Sequence, residues 1–224
     1  MAASTRERIV VEALRLFAER GYSATAVAEI EAAAGLSPGA GGLYRHFRSK
    51  EEVLGAAVAA RGATTREELA ALRDAGAPGA GPLGDASEPL PVRLRRVCRA
   101  GLRKVDEERR LLRVLFRDLD QFPYLVETVR VQLTDPVYQA LADWLRRQPE
   151  FAADVDWPAA ATVLGGAIVN HWLATSQMHA SPLDVDDDRF IAAWIRLAQG
   201  LTSDPPADPA ARTPRTLTAP SARP

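Results

Sequence analysis

Cationic and aromatic side chains are concentrated in one short stretch of this chain. The segment Leu36–Lys50, called here the reading segment, contains no acidic residue. Its end supplies the side chains of Tyr44, Arg45, His46, Arg48 and Lys50. Nitrogen donors beside an aromatic surface suit an anionic partner such as a nucleic-acid backbone. We therefore expect this segment to contact DNA.

The side chains of the reading segment differ in the contacts that they can make. Arg45 is long enough to reach guanine acceptors from a major groove, so it is the best candidate for a base contact. Tyr44, His46 and Lys50 are better suited to phosphate. Small residues at 40–42 would let the backbone approach the base edges.

The elements that position these residues are predicted to be short helices. Ser4 and Glu7 have the spacing of a capping box, so a first helix begins there, and Gly21 ends it. Thr25 is the predicted cap of a second helix, which Gly35 ends.

A third helix is predicted from Ser37, with Pro38 at its first position, to about Phe47. Ser49 starts a fourth helix that runs to about Leu72. The exposed N–H groups at the amino end of this helix favour an anion. Two short helices around a glycine-bearing turn have the order of a helix-turn-helix.

The whole chain is predicted to be all-α with two domains. Residues 1–60 form a three-helix, helix-turn-helix DNA-binding domain, whose fourth helix continues to about 72. Residues 73–91, rich in Gly and Pro, are predicted to be a flexible linker. Residues 92–201 show helical periodicity, and residues 202–224 have the composition of a disordered tail.

Composition excludes several classes of protein. The single cysteine, Cys98, forms no internal disulfide framework, and no leader or membrane-spanning run is evident, so we expect a cytoplasmic protein without a membrane partner. The net charge of −1 means that DNA binding must depend on local charge.

Signals for catalysis or metal binding are weak. His171 and His179 lie eight positions apart, which does not suit a helical metal site, so no metal and no cofactor are expected. Neither a phosphate-binding glycine loop nor a nucleophile elbow is present. An all-helical enzyme is therefore the weaker alternative.

Four motifs of the first half resemble the tetracycline-repressor (TetR) family of bacterial transcription regulators. They are Ala13-x-x-Leu16-Phe17-Ala18-x-x-Gly21-Tyr22, Thr25-x-Val27-x-x-Ile30, Ala34-Gly35-Leu36-Ser37 and Leu43-Tyr44-x-His46-Phe47-x-Ser49-Lys50. The resemblance covers about residues 5 to 60. The usual family pattern has Gly-x-x-Tyr after the helix cap, whereas this chain has two more residues between Gly39 and Tyr44.

The resemblance implies a function and a set of DNA-contacting positions. It implies a homodimeric repressor, formed through the last two helices, that binds a near-palindromic operator and is released by a small molecule. An activator, or a regulator without ligand gating, stays open as an alternative. The candidate DNA-binding residues are Thr25, Ser37, Gly42, Tyr44, Arg45, His46 and Lys50. Of these, Gly42 and Arg45 correspond to positions that face bases, and Thr25, Tyr44, His46 and Lys50 to positions that contact the DNA backbone.

Aromatic residues of the second domain are candidates for the lining of a ligand cavity, although packing between helices is the more common role of such residues. The candidates are Phe116, Phe122, Tyr138, Trp144, His171 and Trp172. Gly165-Gly166, inside an apolar helix, indicates either a close approach of two helices or a kink.

Overall fold

A computed structural model describes residues 4–74, 87–118 and 121–202, and these residues form an all-helical protein, as predicted. The helices are α1 (Thr5–Arg20), α2 (Val27–Ala33), α3 (Lys50–Asp74), α4 (Leu90–Glu107), α5 (Arg109–Asp118), α6 (Pro123–Val129), α7 (Asp135–Arg146), α8 (Trp157–Trp172) and α9 (Asp187–Gln199). Leu43–Arg45 and Pro182–Asp184 form 3₁₀ turns, and Arg130–Thr134 and Leu173–Gln177 are π-helical. Extended pairing within the described ranges is limited to one bridge between Phe151 and Thr202.

Most helix ends follow local signals in the sequence. The predicted capping box of Ser4 and Glu7 is present at the start of α1, and Gly21 ends that helix with φ +104°. The Asp156 side chain accepts a hydrogen bond from the main-chain N–H of Ala159 and so caps α8. The predicted cap of α2 is wrong, because Ala26 occupies that position and Thr25 lies before it.

Two main hydrophobic cores hold the helices together. The first lies among α1, α2, α3 and the 3₁₀ turn at Leu43, and it also includes Val114 of α5 and Phe122 and Leu125 of the next segment. The second lies among α4, α7, α8 and α9, with Trp194 buried at its centre. Because α5 and α6 contribute to the first core, the N-terminal helices are packed directly against the second half of the chain.

The predicted linker and tail fall largely outside the described residues, at 75–86 and 203–224. At the ends of the linker, residues 73–74 belong to α3 and residues 90–91 to α4. None of the helices in the described ranges is long and apolar enough to span a membrane. Among the same residues there is no cluster of three metal-ligating side chains.

Candidate nucleic-acid interface

The reading segment is not the helix that the sequence predicts. Gly39 and Gly41 have φ values of +75° and +72°, a left-handed conformation that interrupts a right-handed helix. The chain therefore forms successive turns, in which Ala40 N–H donates to the Ser37 carbonyl and Tyr44 N–H to the Gly41 carbonyl. Only one 3₁₀ turn, Leu43–Arg45, is helical. The prediction of a helix from Ser37 to Phe47 is thus wrong, and the exposed Ser37 side chain does not cap one.

Two buried side chains anchor the end of this segment. Leu43 and Phe47 are both inside the first core, and the Arg6 guanidinium lies 4.6 Å from the centroid of the Phe47 ring. Because Leu43 and Phe47 point inward at a spacing of four residues, the residues between them face solvent. Tyr44, Arg45 and His46 are accordingly exposed, and 58% of the Tyr44 surface is accessible.

The buried side chain of Glu31, on α2, holds the glycine-rich part of the segment. One carboxylate oxygen accepts the N–H of Gly39 at 2.7 Å, and the other accepts the N–H of Leu43 at 2.9 Å. We did not predict a role for Glu31 from the sequence. A signal was nevertheless present, since Glu31 follows Val27 by four positions and so lies on the buried side of α2.

The polar groups of two candidate DNA-binding residues, Thr25 and Lys50, are bonded to main-chain carbonyls of the same domain. Thr25 is 1% exposed, and its hydroxyl donates to the Gly21 carbonyl at 2.7 Å. The Lys50 ammonium donates to the carbonyls of Tyr22 and Thr25 at 2.6 and 2.9 Å. It also lies 4.2 Å from the centroid of the Tyr22 ring, and burial lowers the pKa of Lys50. Both side chains therefore stabilise the loop between α1 and α2.

The same loop contacts the second half of the chain. The Tyr22 ring meets the Phe122 ring edge-on at 4.5 Å, and the Tyr22 N–H donates to the Asp118 carboxylate at 3.3 Å. The Arg117 guanidinium also donates to the Phe17 carbonyl at the end of α1. The loop that Lys50 supports is thus joined to the end of α5 and the start of α6.

A cavity of about 370 Å³ lies among α3, α4, α7 and α8. Apolar side chains form most of its wall, and the charged ones lie on α3, on α4 and, for Arg147, at the end of α7. Its lining includes Thr65, Glu68, Leu69, Val97, Arg103, Lys104, Glu107, Tyr138, Leu141, Trp144, Arg147 and Ile168. Tyr138 and Trp144 were predicted to line a cavity, and the structure places both of them there.

The other four predicted lining residues are not part of this cavity. Phe116 is an exposed side chain of α5, and Phe122 belongs to the first core. His171 is buried against the Phe190 ring and bonds to Asp187 at 2.8 Å. Trp172 is buried and donates to Asp106 at 3.3 Å, beside a separate, more polar cavity. Trp172 lines that second cavity, whereas Phe116, Phe122 and His171 line neither of the two, because aromatic periodicity alone does not indicate which core a side chain enters.

The paired glycines of α8 allow a close approach of α7. A Cβ atom at Gly165 would lie 2.9 Å from Cε1 of Tyr138, which is closer than such atoms pack, whereas Gly166 has nothing within 4 Å. Of the two readings of Gly165-Gly166, the close approach is confirmed at Gly165. The helices α8 and α9 each also expose a large apolar side chain, Val163 on α8 and Leu197 on α9, accessible over 70% and 69% of their surface.

The N-terminal region is similar in sequence to known proteins. Residues 9–57 match the family model for bacterial regulatory proteins of the tetR family. Two HTH-type transcriptional regulators match a region of similar length. The uncharacterized regulator YerO of Bacillus subtilis is 47% identical over 49 residues, and AcrR of Shigella flexneri is 44% identical over 52 residues. These matches cover 22% and 23% of this chain, and only 16% and 23% of the two relatives.

Several solved structures resemble nearly the whole chain. Salmonella enterica GusR aligns with a TM-score of 0.62 at 24% identity, over 88% of this chain and 95% of GusR. Reduced Escherichia coli NemR aligns with a TM-score of 0.64 at 15% identity, over 90% and 99%. A TetR-like transcriptional regulator from Rhodococcus aligns with a TM-score of 0.58 at 23% identity, over 89% and 96%. At these identities the likeness shows a shared fold.

Proposed function

We propose that the protein is a DNA-binding transcriptional regulator, because residues 9–57 match the family model for bacterial regulatory proteins of the tetR family and carry the motifs that resemble it. The observation that supports this most directly is the reading segment. Tyr44, Arg45 and His46 are exposed together on a turn whose ends are anchored by the buried Leu43 and Phe47. Because the backbone of this turn is already held by its buried ends, DNA binding does not have to order it, and this favours a specific contact.

The contacts are divided between base and phosphate. Arg45 is the residue for a guanine edge, and Tyr44 and His46 are the residues for the phosphate backbone. Thr25 and Lys50 support these contacts from the loop behind them, since their polar groups are already bonded to main-chain carbonyls. The curated relatives are transcriptional regulators, so the enzyme alternative has no comparable support.

DNA binding is tested with a duplex that the wild-type chain selects from a randomised library. Arg45→Ala should weaken binding by roughly tenfold and relax the base preference, because each good bidentate base contact contributes about 1–3 kcal/mol. Tyr44→Ala should weaken binding to all duplexes similarly. Arg110→Ala, which removes an exposed arginine of α5, is the control. Unchanged affinity in the first two variants would contradict the proposal.

We further propose that the protein is a homodimer formed through α8 and α9. Val163 and Leu197 are exposed on these helices, and Gly166 and Ala193 leave room beside them for a second copy. An exposed apolar face of this kind favours association, and a two-fold dimer would present two reading segments to a near-palindromic operator. Half-sites would lie one helical turn of DNA apart or a little more, at about 34 Å.

Repression relieved by a small molecule is the regulatory part of the proposal. The helix α3 starts at Lys50, the last residue of the reading segment, and carries Thr65 and Glu68 at the cavity wall, about 27 Å along its axis at 1.5 Å per residue. Lys104 of α4 forms an ion pair with Glu68 across this wall. A ligand that separates α3 from α4 would move the reading segment, because α3 is a single helix.

Gating is tested by measuring whether decanoate, as a lipophilic anion, or dodecyltrimethylammonium, as a lipophilic cation, releases the selected duplex. Ala140→Trp fills the cavity from α7 and should abolish release while it leaves DNA binding intact. Release that is equal in the wild type and in this variant would place the effector elsewhere.

A further inference from the structure

The two main-chain N–H groups that flank the glycine-rich turn converge on one carboxylate. Gly39 lies before the turn and Leu43 after it, and Glu31 accepts a hydrogen bond from each with a different oxygen. Only 1% of the Glu31 surface is exposed. Charge-assisted bonds of this kind, shielded from water, are among the stronger hydrogen bonds in proteins.

Between these two points the turn has few other restraints, namely the packing of Gly42 against the Leu36 side chain and the buried side chain of Leu43 at its end. Gly39, Gly41 and Gly42 have no side chains, and a Cβ atom at Gly39 would meet nothing within 4 Å. Within the turn, the bonds are of the i to i+3 type, from Ala40 and from Tyr44. Because glycine has more backbone freedom than any other residue, such a turn has many conformations of similar energy unless its ends are held.

Holding these ends determines where the exposed donors lie. Leu43 is the first residue of the 3₁₀ turn that carries Tyr44 and Arg45, so the hydrogen bond that its N–H donates to Glu31, together with its buried side chain, sets the start of that turn. We propose that Glu31 is a positioning residue for DNA recognition: its carboxylate fixes the glycine-rich turn and thereby the placement of Tyr44 and Arg45. This inference rests on the proposed function, since it assigns a residue that acts through the same contacts.

The first experiment compares Glu31→Gln with Glu29→Gln on the full-length chain. A glutamine at position 31 keeps one acceptor but turns an N–H group toward the second main-chain N–H, so one buried donor loses its partner. Affinity for the selected duplex should fall about tenfold. Glu29→Gln removes the same charge from the same helix, and its amide oxygen can still accept the Ala26 N–H that Glu29 accepts, so it should leave affinity unchanged or slightly higher despite the loss of the partly exposed ion pair with Arg20.

A double-mutant cycle separates positioning from general damage. In a Tyr44→Ala, Arg45→Ala background, Glu31→Gln should change the affinity by less than about twofold, because the contacts that it positions are already absent. A loss of about tenfold in both backgrounds would overturn the proposal, since it would mean that Glu31 merely maintains the folded domain.

Amide hydrogen exchange tests the hydrogen bonds without DNA. Glu31→Gln should raise the exchange rate at Gly39 or Leu43, whereas Leu36 should exchange as before because its N–H donates to the main-chain carbonyl of Glu31 at 2.8 Å. Unchanged exchange at both Gly39 and Leu43 would refute the role of the carboxylate. If the wild-type chain selects no duplex, the proposed function fails, and this measurement still decides whether Glu31 holds the turn.

Discussion

Lys50 was predicted from the sequence to contact the DNA backbone, but in the structure its ammonium supports the fold. The variant Lys50→Met tests which of these two roles the side chain has. Methionine retains an unbranched side chain against the Tyr22 ring but removes the ammonium that bonds to two main-chain carbonyls. Hydrogen bonds from a charged group contribute about 1.5–3 kcal/mol each. Lys50 is half-buried, so water replaces part of this loss, and we expect the free energy of unfolding to fall by about 2 kcal/mol in total.

The assay is urea unfolding followed by circular dichroism, at one fixed protomer concentration because association shifts apparent stability. For a chain of this size, the expected loss corresponds to a decrease in Tm of roughly 4–8 °C. Arg48→Met is the matched control, since Arg48 is an exposed cation of the same segment. It removes the same charge and should change stability by less than about 0.5 kcal/mol.

The opposite pattern would refute this reasoning. If Lys50→Met unfolds at the same urea concentration as Arg48→Met, the two carbonyl bonds contribute nothing to stability. A simultaneous loss of DNA affinity, with a salt dependence reduced by about one counterion, would then assign Lys50 to a phosphate.

Three further predictions concern packing, burial and assembly. Gly62→Ala should lower the free energy of unfolding by about 1 kcal/mol, because the added Cβ would lie 2.9 Å from Cβ of Gln132 and 3.1 Å from its carbonyl oxygen. Gly55→Ala in the same helix has more space and should raise the free energy of unfolding by up to about 1 kcal/mol. Urea unfolding measures both. Burial raises the pKa of Cys98 to about 12, so a disulfide reagent at pH 8 should label this thiol only as fast as the chain unfolds. In the unfolded chain the pKa of Cys98 has its ordinary value of 9.0. The free energy of unfolding should therefore fall as the pH rises from about 9 to 12, and Cys98→Ala should remove this pH dependence. Leu197→Asp should convert a dimer to monomers in analytical ultracentrifugation. Leu183→Asp is the control, because Leu183 is 90% exposed but lies outside α8 and α9, and it should leave the dimer intact. A dimer unaffected by Leu197→Asp would exclude an interface formed by α8 and α9.

The sequence by itself was sufficient wherever a structural feature depends on residues a few positions apart. The cap of α1 by Ser4 and Glu7 and its end at Gly21 are local, because a side chain there bonds to the N–H groups of its own first turn. The alternation of buried Leu43 and Phe47 with exposed donors is local too, because it follows from the four-residue spacing of the two apolar side chains. These patterns are also what the family resemblance consists of, so the all-helical fold could be predicted, and with it the candidate segment for DNA contact but not the conformation of that segment.

Only the tertiary structure decided features that join distant parts of the chain. Glycine accepts either hand of backbone, so the residues 39–42 do not specify their own conformation, and the acceptor that holds them is Glu31, on the preceding helix. The polar groups of Lys50 and Thr25 turn inward because main-chain carbonyls of the α1–α2 loop lie within reach. Tyr138 enters the cavity and Phe122 the first core because helices remote in sequence pack on them. Side-chain type limits what a residue can do, but the groups that surround it after folding determine which of those roles it takes.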